Sequence, residues 1–120
     1  MLTQEAIDAY NSRATVDLNS IKKMKPADLD RVINTGTAAE NLMRNRDFAM
    51  FVHQFKFEVC DVLMEIKSHA EEDNALRVAL SNQLAGMDGF IATLKRAVHF
   101  KIKAQELQQR QQVQEPEELI

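Results

Sequence analysis

The chain has 120 residues, with 15 Lys and Arg against 18 Asp and Glu, a formal net charge of −3. Hydrophobic residues make up 45% and charged residues 28%, which suits one folded domain and is too apolar for wholesale disorder. The longest unbroken apolar run, Phe48 to Val52, is five residues; that excludes a membrane-spanning helix, which needs about 18–20, and the mild acidity excludes coating nucleic acid by charge alone.

Only three Gly and two Pro interrupt a chain rich in Ala, Leu, Glu, Gln and Lys. Few breakers among good helix formers predict an all-α protein, and no alternating stretch bounded by turn residues predicts a strand. Residues 1–46 read as short helices. Thr3 to about Asn11 carries Ala6, Ile7 and Tyr10 on one side, and Val16 to Met24 presents Leu18 and Ile21. Pro26 stops that segment and suits the first position of the next helix, which carries Leu29, Val32, Ile33, Gly36, Leu42 and Met43.

A long helix follows from about Asp47, its expected N-cap, to Ala70. Val52, Phe55, Val59, Val62 and Ile66 recur every three or four residues, the a/d seam of a helix lying along a partner. The polar stretch 69–74 is expected as a loop, with Asp73 or Asn74 capping a second long helix from about Ala75 to Gln111. That helix has a seam of Leu76, Leu80, Leu84, Met87, Ile91, Leu94, Val98 and Ile102. Two long amphipathic helices joined by a short polar loop predict an antiparallel hairpin over residues 47–112, coiled-coil-like in its spacing, with the N-terminal helices packed across it. The glutamine-rich end, residues 104–112, has almost no apolar face and is expected to be solvated or to await a partner. Residues 113–120, with Pro116 and three Glu, are expected as a flexible acidic tail.

The hairpin carries more apolar surface than its seam uses. Met50, Phe57 and Met64 recur at intervals of seven, beside Cys60 and away from the seam. On the second helix Ala75, Ala79, Gly86, Thr93, Ala97 and Ala104 form a stripe of small residues that would let another backbone approach closely. Gly86 and Gly89 each cost a helix about 1 kcal/mol relative to Ala, which predicts a packing reason, such as room for the ring of Phe55 or Phe57, or else a hinge. Two readings follow: either the N-terminal helices cover these faces in a monomeric four- or five-helix bundle, or Met50, Phe57, Met64, Ala79, Gly86, Thr93 and Ala97 are the candidate surface for a second copy of the chain or another helical protein. Acidic residues gather toward the loop (Glu58, Asp61, Glu65, Glu71, Glu72, Asp73) and basic ones toward the other end (Arg44, Arg46, Lys95, Arg96, Lys101, Lys103), a dipolar rod suited to neighbour contacts.

Chemistry is sparse. Cys60 is alone, which rules out an internal disulfide and cysteine-based zinc sites. No phosphate loop or serine-nucleophile turn occurs, and His53, His69 and His99 lack a second His three or four residues away. Hairpin geometry could bring His53 toward His99, but no metal site or cofactor is expected. Lys22, Lys23, Lys25 and Arg31, on a segment that could pass for a helix-turn-helix, are the candidate nucleic-acid contacts. Nothing in the composition indicates secretion, so a cytoplasmic setting is expected.

Two resemblances add to this. Asn45-Arg46-Asp47-Phe48, the long helix, Glu71-Glu72-Asp73-Asn74, then Leu76, Gln83-Leu84-Ala85-Gly86, Phe90-Ile91 and Leu94 resemble small helical-hairpin proteins encoded beside the head and packaging genes of tailed bacteriophages. Members often carry Gln-Gly early in the second helix, whereas Leu84-Ala85 separates Gln83 from Gly86 here. The resemblance implies a virion-assembly or DNA-packaging accessory, in the host cytoplasm or the virion, with no catalytic residue. Arg46 and His53, seven apart on one helix face with Asp47 between them, resemble the Arg…His signature of the helical ribonuclease and toxin domains called HEPN. That likeness implies an Arg and a His acting together on an RNA backbone.

Overall fold

The computed structural model describes residues 3–12 and 18–118 and contains five helices and no strand among them. They are α1 (Gln4–Ser12), α2 (Leu18–Lys22), α3 (Pro26–Arg44), α4 (Arg46–Glu65) and α5 (Glu71–Glu118). No helix among the described residues is long and apolar enough to cross a membrane.

Local chemistry sets the boundaries. The Thr3 hydroxyl accepts from the Ala6 amide and caps α1. Pro26 opens α3 after an extended Lys25, as its locked φ favours. Asn45 alone separates α3 from α4. Its backbone is extended (φ −69°, ψ 121°), its amide donates to the Leu42 carbonyl, and its side chain accepts from the Phe48 amide at 2.9 Å. One residue thus ends one helix and caps the next, so the cap is Asn45, not Asp47. Asp47 instead sits in the first turn, where its charge complements the helix dipole.

The loop is residues 66–70, earlier than 69–74. The Ser68 hydroxyl accepts from the Ala70 amide, and the Asn74 amide donates to the Ala70 carbonyl, which starts α5 one turn ahead of the expected caps. Glu71, Glu72 and Asp73 are consequently its first turn and not a loop, because three carboxylates stabilise a helix N-terminus. Arg77 ties the corner shut by donating to the carbonyls of Ile66 and Ser68. At its far end α5 continues past Gln111 to Glu118, through most of the expected tail and through Pro116, whose missing N–H removes one backbone hydrogen bond from its last turns.

Asp30 meets Gln108, Glu40 meets Lys101, Lys56 meets Asp88 and Ile66 meets Arg77. As residue numbers rise along α3 and α4 they fall along α5, so both shorter helices run antiparallel to the long one, nearly end to end. The product is a rod with extents of 76 × 28 × 26 Å and a radius of gyration of 20.5 Å, against about 14 Å for a compact domain of this length. α5 alone spans about 72 Å.

Its principal core lies at the α3 end. Ile21, Leu29, Val32 and Ala104 are buried, with Met24, Ile33, Phe100 and Leu107 packed against them. The α3–α5 contact is the most extensive between helices. A Cβ placed on Gly36 would overlap the Lys101 Cβ and come within 2.7 Å of the Ala97 carbonyl oxygen, so glycine is what lets these helices cross so closely. α3 also covers part of the glutamine-rich end: Ala104 is fully buried and Gln108 donates to Asp30, whereas Gln109, Gln111 and Gln112 remain exposed.

Candidate interaction surface

The face α5 offers to α3 differs from the one it offers to α4. Ala97, Lys101, Ala104 and Gln108 lie under α3, whereas Leu80, Leu84, Met87 and Ile91 lie toward α4. At 100° per residue the two tracks are rotated by roughly 100° about the α5 axis. The turn at Asn45 therefore moves the chain off one track and onto the other.

The small-residue stripe follows the α3 track. Where α3 covers it, Ala104 is fully buried and Ala97, half-buried, backs Gly36 at the α3–α5 crossing. Beyond the end of α3 the stripe runs on through Thr93, Gly86, Ala79 and Ala75, all exposed. A Cβ on Gly86 or Gly89 would meet nothing within 4 Å. The packing reason expected for these two glycines is thus absent within the subunit, and α5 passes through both as unbroken helix, with no hinge. The glycine that makes the close crossing is Gly36.

The α4 seam is thin. Val59 and Leu80 are buried; Val52, Phe55, Leu63 and Ile66 are half-buried, and Phe48 meets Phe90 edge-on at 6.1 Å. Val62, Leu76 and Ile102, expected in the seams, are exposed. Leu63 takes the inward position on α4 in place of Val62, and Ile102 falls off the seam because the buried track of α5 has already rotated toward Phe100 and Ala104.

Directly opposite that seam, Met50, Phe57 and Met64 stand 51%, 66% and 78% exposed in one row. At intervals of seven residues they drift only about 20° per step around the helix, so they form a continuous stripe. Phe51 and Cys60 are exposed as well. The shallow depression bordered by Met50, His53, Gln54, Phe57, Glu58 and Asp61 is built entirely by α4 residues spaced three and four apart. A single helix face is convex, which suits another helix better than a small molecule.

The other expected sites have these surroundings. Arg46 and His53 are exposed on α4, about 10 Å apart along its axis, and the His53 ring lies 6.5 Å from that of Phe57. His53 and His99 do not converge: the Lys56–Asp88 pair sets a register that leaves His99 roughly 12 Å farther along α5, where its ring tilts against Phe100. Among the described residues no group of His, Cys, Asp and Glu could hold a metal ion. Lys22, Lys23, Lys25 and Arg31 are all exposed, and among the described residues none has an ion-pair partner. The helix-turn-helix reading needs Val16, which lies outside the described residues, and α2 is only five residues long. No protein-family model matches this chain, and no curated protein or solved structure matches it.

Proposed function

We propose that this chain is a non-enzymatic, self-associating helical protein whose partner surface is the outer face of α4. The observation that carries this reading is the exposed row of Met50, Phe57 and Met64 on a helix whose opposite side already packs against α5. Such a helix is apolar on two sides, and apolar surface of this extent on one face marks a contact site. The resemblance of residues 45–98 to small phage hairpin proteins supports placing the chain among virion-assembly or DNA-packaging accessories. An elongated rod also suits repeated side-by-side contacts.

The test is Phe57→Glu. Its side chain is two-thirds exposed, so the helical circular dichroism should stay unchanged while the sedimentation coefficient falls to that of a single copy. An unchanged sedimentation coefficient would reject the α4 surface.

A second reading rests on Lys22, Lys23, Lys25 and Arg31 at one end of the rod, exposed and without an ion-pair partner among the described residues: a DNA-binding or packaging-recognition subunit. It requires binding whose affinity falls steeply with salt and weakens when Lys22 and Lys23 are replaced by Ala. Absence of a gel shift at low salt would reject it.

A further inference from the structure

We infer, building on the self-association reading above, that two copies pair antiparallel through α4, about a two-fold axis beside Phe57. The occupant of the exposed stripe is a second copy of this chain, and the charges bracketing the stripe set its direction.

On one side of Phe57, about 16 Å along α4, stands Arg46, next to Arg44. Arg46 has no ion-pair partner among the described residues, and Arg44 reaches only the Glu40 carboxylate at 3.8 Å with 78% of its side chain exposed. On the other side α4 ends at Glu65, about 12 Å away, and the corner brings in the first turn of α5. There Glu71 and Glu72 are exposed and likewise unpaired among the described residues. Asp47 beside Arg46 and Lys67 in the corner offset part of these charges. Arg44 and Arg46 still leave one end of the stripe net basic, Glu65, Glu71 and Glu72 leave the other net acidic, and the stripe is nearly centred on Phe57.

Parallel pairing would set arginines against arginines and glutamates against glutamates. Antiparallel pairing sets Arg44 and Arg46 of each copy against Glu71 and Glu72 of the other, at both ends at once. It also stacks Met50 on Met64 of the other copy and Phe57 on its own counterpart. Beside the stripe it places Gln54 near Asp61 of the other copy, an amide donor against a carboxylate, and His53 level with Cys60 of the other copy.

Pairing direction is read by thiol crosslinking of the full chain. His53→Cys retains Cys60, and both positions are exposed. Two residues seven apart on one helix are about 10 Å apart, too far for a disulfide within the chain. Mild oxidation followed by peptide mapping should yield links from position 53 to Cys60 of the other copy. Links of Cys60 to Cys60 would establish parallel pairing and overturn the inference, while leaving self-association standing. A dimeric mass without any link would overturn the α4 pairing. A monomeric mass would overturn both this inference and the reading it rests on.

Charge exchange gives an independent readout. Arg44→Glu with Arg46→Glu should weaken the dimer roughly tenfold, and adding Glu71→Lys with Glu72→Lys should restore it. An unchanged dissociation constant across the set would contradict antiparallel pairing, since parallel copies would keep like charges together throughout.

Discussion

The two halves of this rod share one long helix and treat it differently. In the α3 half, Gly36 lets the helices cross closely, Ile21 and Leu29 are fully buried, and the Lys101–Glu40 pair is shielded, with side chains 14% and 23% exposed. In the α4 half the helices touch along a thin seam, the Lys56–Asp88 pair is open to water at 36% and 67%, and Met50, Phe51, Phe57 and Met64 face outward. Both halves contain glycine on α3 or α5, yet only Gly36 is enclosed. The lesson is that one half buries its apolar faces within a single copy, and the other leaves the outer apolar face of α4 uncovered.

Substitutions can break this contrast. The largest effect should come from Leu29→Ala, which empties a fully buried site in the α3 half: a loss of about 2–5 kcal/mol in denaturant unfolding. Gly36→Ala should follow, at about 1–3 kcal/mol, because the added Cβ must displace Lys101 or the backbone of Ala97. Asn45→Ala removes the side-chain acceptor of the Phe48 amide and should cost about 1 kcal/mol, read most clearly as faster amide exchange at the start of α4. Gly86→Ala has the opposite sign. Its site is open, so relieving a mid-helix glycine should add about 0.5–1 kcal/mol in dilute solution. A loss there would show that the α5 stripe is covered in solution. Smallest of all, Asp88→Ala breaks only an exposed ion pair and should cost under about 1 kcal/mol, less in high salt.

The same contrast explains how far the sequence could be read. The long helices and their antiparallel pairing were visible in the three-and-four spacing of Val52, Phe55, Val59 and of Leu80, Leu84, Met87, since burial along a helix imposes that period. Pro26 marked a helix start for the reason its ring dictates. The cap at Asn45 was obscured because Asn45 and Asp47 are both good cap residues two apart, and only backbone geometry decides between them. Glu71-Glu72-Asp73 reads as loop or first turn by composition alone, and the Ser68 and Ala70 hydrogen bonds settle which. The rotation of the buried track on α5 was hidden for a different reason. It depends on where α3 lies, which no local period encodes, and so Ala97 and Gly86, equivalent in the stripe, ended in opposite environments. The exposed row on α4 was legible because a heptad interval survives whatever the partner is.

The native mass in solution tests the central claim most directly. Light scattering coupled to size exclusion, run over a range of loading concentrations, should return a multiple of 13.7 kDa. A steady 13.7 kDa at every concentration would mean that Met50, Phe57 and Met64 rest in water in the working protein, and would contradict the account.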